Sequence, residues 1–129
     1  MPRSRYAALL ATFMLAVAPF ADAAEETLGA WLYAMHCAGC HGPGGEGDGP
    51  LAGASPVPNL RTLQMRNGNV FPADAVTAYI DGRTLPAAHA ERLMPIWGEV
   101  FQAETRADKK IVRGRIAAIV GFIAELQYR

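Results

Sequence analysis

The sequence has little charge imbalance, few cysteines and no long apolar run. Each of these features argues against a particular kind of protein or site. Twelve basic residues balance twelve acidic ones in a chain of 129 residues, and without a basic block a nucleic-acid role has no electrostatic basis. Two cysteines are too few for the two Cys pairs that many structural zinc sites use. No apolar run reaches the ~20 residues that span a bilayer, and no stretch repeats or alternates convincingly as a strand.

The N-terminal part of the chain has the features of an export signal. Two arginines precede an apolar run over residues 6–20, and Ala-Asp-Ala at 21–23 supplies the small residues that a signal peptidase reads. We therefore predict a signal peptide over residues 1–23, cleaved after Ala23 or one residue later. An uncleaved membrane anchor is the alternative. Residues 24–129 are then a single domain of modest core, located in the periplasm.

Helical periodicity dominates the rest of the sequence. Four stretches carry apolar side chains at helical spacing or helix-end signals: 27–37, 59–67, 72–82 and 105–127. Two Gly- or Pro-rich stretches, 42–58 and 83–98, separate them as loops. The fold class predicted is all-α, with a helix at each end. A long irregular loop in a small domain is uncommon unless it is functional, and wrapping around a bulky ligand would account for it.

The two terminal helices each have a predicted buried face. In the first helix it consists of four side chains at positions i, i+3, i+4 and i+7: Leu28, Trp31, Leu32 and Met35. In the last helix it consists of five side chains at the same kind of spacing: Ile116, Ile119, Val120, Ile123 and Leu126.

The segment CAGCH at residues 37–41 holds both cysteines and is followed by no second copy. This pattern indicates covalent attachment of a c-type haem. The thiols of Cys37 and Cys40 can form thioethers with the two vinyl groups, and the imidazole of His41 can then bind the iron. We therefore predict one haem c.

Three other interpretations of CAGCH are weaker. A structural zinc site needs four ligands, and the remaining histidines, His36 and His89, do not form the required pair. A thioredoxin-like redox pair expects a βαβ setting, which this helical pattern does not offer. A plain disulfide in an oxidising compartment is the remaining alternative.

The residue on the sixth coordination position of the iron would decide the function. The candidates after residue 23 are Met35, His36, Met65, His89 and Met94. Met35 and His36 lie too close to CAGCH to reach the opposite haem face, and Met65 falls in a predicted helix, where core packing explains it better. Met94 precedes Pro95 in a Pro-rich loop, and proline favours an extended residue before it. Met94 is therefore the preferred ligand, with His89 or an open site as alternatives.

At this point the sequence resembles a known family, the class I mono-haem cytochromes c of the small exported bacterial type. The resemblance covers nearly all of the mature chain and rests on five motifs: CAGCHG at 37–42, GDGP at 47–50, PNL at 58–60, LMPIWG at 93–98 and FIAELQ at 122–127. It implies a cytochrome c fold of helices and irregular loops around haem, with His41 and Met94 as axial ligands.

The resemblance also implies roles for residues outside CAGCH. The first and last helices are expected to cross closely at Gly29, with Tyr33 near Phe122. A backbone carbonyl of the Gly-Pro turn, for which Pro50 is the candidate, should accept the second ring N–H of His41. The candidate donors to the haem propionates are Arg61, Arg83 and Trp97.

The function implied is that of a periplasmic electron carrier, not an enzyme, which shuttles single electrons between a redox donor and an acceptor. Both would dock transiently at the haem edge, without nucleic acid and without stable membrane insertion after cleavage. The alternatives are a haem-bearing subunit of a larger oxidoreductase and a ligand-binding or sensor protein with an open sixth site.

Overall fold

The terminal periodic stretches of the sequence form the two longest helices. The computed structural model describes residues 20–53, 56–84, 93–106 and 108–128, with side chains from residue 27 onward. The helices in chain order are α1 (Phe20–His36), α2 (Ala38–His41), a 3₁₀ turn (Leu60–Thr62), α3 (Leu63–Arg66), α4 (Ala73–Asp81), α5 (Trp97–Glu104) and α6 (Lys109–Glu125). These described residues contain no strand. The expected all-α class is confirmed.

Helices α1 and α6 cross in close contact at Gly29. A Cβ atom at this position would overlap the backbone carbonyl of Ala118 and touch the side chain of Phe122. One turn later on α1 the rings of Tyr33 and Phe122 lie 5.0 Å apart and tilted. The expected close crossing and the Tyr33–Phe122 contact are therefore both confirmed.

The hydrophobic core consists mainly of one face of α6 packed on α1, α4 and α5. Four of the five residues predicted to form the α6 face are buried, and the fifth, Leu126, is partly buried at its end. Asp108 caps the start of α6 by accepting the backbone N–H groups of Lys110 and Ile111 at 2.9 and 3.1 Å. The predicted last helix is thus present, but it covers Lys109–Glu125 instead of residues 105–127.

The predicted face of α1 is wrong for three of its four residues. Leu28, Trp31 and Met35 are 43%, 57% and 63% exposed, whereas Leu32 is fully buried. Gly29 and Tyr33 take the contact face instead. The close crossing needs a residue without a side chain, and glycine adds nothing to a hydrophobic pattern.

Helix α4 ends where the sequence predicts, and α5 is a helix that the sequence did not reveal. Gly82 closes α4 with a left-handed backbone, φ 71°. Arg83 follows and joins the two helices, donating to the Asp81 carboxylate at 2.6 and 2.7 Å and to Gln102 of α5 at 2.8 Å. These contacts use three of the five N–H donors of the guanidinium, and a contact of Arg83 with a haem propionate stays a prediction.

Within the part of the chain that the structure describes, no helix combines the length and apolarity needed to cross a membrane. The predicted signal peptide falls largely on residues outside that part and stays a prediction.

Candidate functional site

The CAGCH segment continues the helical path of α1 with only a slight interruption. Three i to i−4 backbone bonds run through it, from Cys37 to Tyr33 at 2.8 Å, from His41 to Cys37 at 2.9 Å and from Gly42 to Ala38 at 2.9 Å. Residues three and four apart on a helix share a face. The two cysteines and the histidine therefore project from the same side of one helical turn.

The two cysteines are free thiols in different surroundings. Cys37 is buried in the core, whereas Cys40 is exposed. Burial raises the pKa of the Cys37 thiol to about 12, with a smaller contribution from Cys40. On the shared side of the helical turn, Cys37 thus lies nearer the core and Cys40 nearer the surface.

The imidazole of His41 is fixed by a backbone carbonyl. Its Nδ1 lies 3.3 Å from the carbonyl oxygen of Pro58, and since a carbonyl can only accept, Nδ1 carries the hydrogen. Burial lowers the pKa of His41, and the hydrogen bond to Pro58 acts more weakly in the opposite direction. The ring is therefore held in the neutral tautomer whose Nε2 lone pair is available to a metal.

The carbonyl expected beside His41 was that of Pro50, and this expectation is wrong. Gly47 donates its N–H to the carbonyl of His41 at 2.8 Å and has a backbone φ of 85°. It is packed so closely on Val57 that a Cβ atom would overlap the Val57 carbonyl. This turn brings Pro58, not Pro50, to the imidazole. The sequence carries no signal that separates Pro58 from Pro50 as the partner, because the choice depends on this tertiary contact.

Pro50 lies instead in an exposed turn that closes over CAGCH from the outside. Its neighbours Gly49 and Leu51 donate to the carbonyls of Cys40 and Gly39 at 3.1 and 2.7 Å. The turn therefore braces the segment without contacting the ring of His41.

Tyr33 supports the same segment from the core, which the sequence did not reveal. Its hydroxyl donates to the carbonyl of Gly42 at 2.9 Å, a buried contact. Burial, more than the nearby acidic groups, raises the pKa of Tyr33 well above its ordinary value. The hydroxyl therefore stays protonated and holds the residue directly after His41.

Met94 lies half-buried in the segment before α5 and packs against the core. Met65 is 59% exposed on α3, so the expectation that it packs in the core is wrong. His89 lies outside the described residues. His36 is the remaining histidine. The centroid of its ring lies 5.1 Å from that of Trp97 and 5.2 Å from that of Phe101, and the rings meet edge-on.

The other two predicted propionate donors, Trp97 and Arg61, lie in different settings. Trp97 begins α5 and packs on His36, close to the attachment segment. Arg61 contacts Glu46 through Nη1 at 3.0 Å and the Leu126 carbonyl through Nε at 3.2 Å, and it stacks on Tyr128. Arg61 thus ties the loop to the C-terminus. For both residues a propionate contact stays a prediction.

The donor set fits a haem better than a lone metal ion. No group of three or more His, Cys, Asp or Glu side chains that could hold an ion occurs among the described residues. What the structure offers is a single oriented imidazole and two free thiols within one helical turn. That is the chemistry that attaches an iron porphyrin by two thioethers and one nitrogen.

Comparison with known proteins agrees with this interpretation. No curated protein and no solved structure shows significant similarity to the chain. Residues 27–126, most of the chain, match the family model described as Cytochrome c. The chain therefore belongs to the cytochrome c family of haem-based electron-transfer proteins, and Cys37 and Cys40 fit the covalent attachment of haem c.

Proposed function

We propose that this protein is a periplasmic electron carrier whose haem c iron is held between His41 and Met94. The observation that carries the proposal is the contact between His41 Nδ1 and the Pro58 carbonyl at 3.3 Å. It leaves Nε2 as the free nitrogen of a buried, neutral imidazole, which is the form that binds iron.

Each residue of the site has a distinct part in this proposal. Haem c, when bound, supplies an iron that takes up and releases one electron. Cys37 and Cys40 fasten the porphyrin to the polypeptide. His41 provides the nitrogen ligand, and Pro58 fixes its tautomer and increases its donor strength. Because all these groups are covalently or sterically fixed, little reorganisation needs to accompany electron transfer.

Met94 is proposed as the ligand on the opposite side of the iron. Its side chain is half-buried against the core, and Pro95 favours an extended backbone at the preceding residue. A thioether ligand stabilises ferrous iron and raises the reduction potential, as an electron carrier requires. If His41 and Met94 both held the iron, they would supply two ligands that favour electron transfer over binding of a substrate or gas.

Transient redox proteins are the proposed partners, docking where the haem edge reaches the surface. Cys40, the exposed attachment residue, indicates where that edge would lie. The balanced charge of the sequence does not favour a strongly charged partner. Size exclusion of a native extract separates this free carrier from the alternative, a subunit of a larger oxidoreductase.

Spectroscopy of the purified ferric protein tests the ligand assignment. A methionine-to-iron charge-transfer band should be present in the wild type and absent from Met94→Ala. Met65→Ala is the matched control, because this exposed methionine should leave the band unchanged. Survival of the band in Met94→Ala would show that another residue binds the iron.

A further inference from the structure

Gln127 is a buried polar residue directly after α6, in a position that the proposed function does not use. It is only 6% exposed, and together with His41 it makes up the buried polar side chains among the described residues. Its amide is well satisfied. Nε2 donates to the carbonyls of Leu60 and Ile123, both at 2.8 Å, and Oε1 accepts the N–H of Gln64 at 2.9 Å.

These contacts join the end of the last helix to the segment that follows Pro58. Ile123 belongs to the final turn of α6, whose carbonyls lack partners within the helix. Leu60 and Gln64 lie in the 3₁₀ turn and in α3. One side-chain amide therefore completes the end of α6 and fixes two points of the neighbouring segment.

Leu60 is held from two sides. Its N–H donates to the carbonyl of Gly45 at 2.7 Å, while its carbonyl accepts from Gln127. A backbone hydrogen bond from the N–H of Tyr128 to the carbonyl of Arg61, at 3.1 Å, also joins the C-terminus to this turn. The start of the 3₁₀ turn is thus fastened between the loop that follows CAGCH and the C-terminus.

Only one residue, Asn59, lies between Leu60 and Pro58, the partner of His41. Asn59 is extended, and its side chain accepts the N–H of Arg61, which fixes the backbone between the two carbonyls. With so little freedom between them, the position of the Leu60 carbonyl sets the position of the Pro58 carbonyl.

We propose that Gln127 is a positioning residue that acts through Leu60 and Pro58 to set the hydrogen bond on His41 Nδ1. The inference rests on the proposed ligation of iron by His41. A donor bond to a carbonyl increases the basicity of a ligating imidazole, and a more basic ligand favours ferric iron. Loss of the Gln127 contacts loosens that bond and makes the reduction potential more positive.

The test compares the reduction potentials of haem-loaded wild type, Gln127→Met and Val112→Ala. Methionine keeps the length of glutamine but makes none of the three hydrogen bonds. Val112 is buried at the other end of α6, about 20 Å from Gln127 by the helical rise, so its truncation weakens the core without touching the Gln127 contacts. Nitrogen-15 NMR of the His41 ring measures the Nδ1–H bond directly.

The expected result is a positive shift in the potential of Gln127→Met and an upfield move of its Nδ1–H resonance, with neither change in Val112→Ala. An unchanged potential, a negative shift or an equal shift in the control would overturn the inference. Where Gln127→Met does not fold, Gln127→Leu is used, because it is also uncharged and makes none of the three hydrogen bonds.

Failure of this inference is distinguishable from failure of the proposed function. If His41 is not the ligand, the wild type itself lacks the spectrum of an imidazole-ligated iron. If only the positioning role of Gln127 is wrong, wild type and Gln127→Met both show that spectrum and have the same reduction potential.

Discussion

At the scale of single residues, Gly29 determines how closely the terminal helices approach. A Cβ atom there would overlap the backbone carbonyl of Ala118, which cannot rotate away as a side chain could. We expect Gly29→Ala to lower the free energy of unfolding by about 1–2 kcal/mol, because overpacking costs about 1–3 kcal/mol and the better helix propensity of alanine returns up to about 1 kcal/mol. Denaturant unfolding measures the change.

Gly114→Ala is the matched control for this prediction. Gly114 lies exposed within α6, and a Cβ atom there would meet nothing within 4 Å. The same substitution should therefore stabilise the protein by about 0.5–1 kcal/mol. If the two variants change stability in the same direction, the close crossing is not what requires glycine at position 29.

Single residues also show what the sequence could and could not predict about the site. Cys37, Cys40 and His41 were predictable because the chemistry needs their spacing along one chain segment, and the helix keeps that spacing. The carbonyl partner of His41 was not, because the loop contains several prolines. The choice between Pro50 and Pro58 depends on how Gly47 folds the loop back on itself, a matter of tertiary contact.

At the scale of helices, the face of α1 that packs on α6 predicts which of its side chains matter for stability. Leu32 is fully buried against α6, whereas its neighbour Trp31 is 57% exposed. Leu32→Ala should cost about 2–5 kcal/mol of unfolding free energy, as truncation in a core does. Trp31→Ala removes the larger side chain but should cost less than about 1 kcal/mol, as surface changes do.

Chemical denaturation of the two variants beside the wild type measures this difference. A loss for Trp31→Ala equal to that for Leu32→Ala would restore the face predicted from hydrophobic spacing. The m value, which is the slope of the unfolding free energy against denaturant concentration, is compared first. A lower m value in either variant would mean that its unfolding no longer follows the same two-state transition, so the free energies could not be compared directly.

A helix was predictable where apolar residues repeat at helical spacing over several turns. The α6 stripe extends over several turns, and the end signals of α4, Pro72 and Gly82, stand where the structure needs them. Helix α5 was missed because it has only eight residues and begins two residues after Pro95, in a stretch whose prolines indicate a loop.

At the scale of the whole molecule, the polypeptide alone has a limited core. Several large apolar side chains outside it are more than half exposed, including Leu51, Met65, Val70 and Leu93. A domain of about 100 residues buries a smaller share of its surface than a larger one. A covalently held apolar group stays on the chain when it unfolds but is buried only in the folded state, so its burial should contribute much of the stability.

Thermal unfolding followed by circular dichroism tests this contribution. The haem-attached wild type should melt several degrees or more above the same chain produced without haem attachment, because each kcal/mol shifts the midpoint of a small domain by about 4–8 °C. A Cys37→Ala/Cys40→Ala variant should melt close to the unattached wild type, which separates the loss of haem from the loss of the thiols. Equal melting temperatures with and without attached haem would mean that the polypeptide core is sufficient by itself. The backbone hydrogen bonds from loop residues 45, 47 and 49 to Gly42, His41 and Cys40 would then be enough to hold that part of the loop.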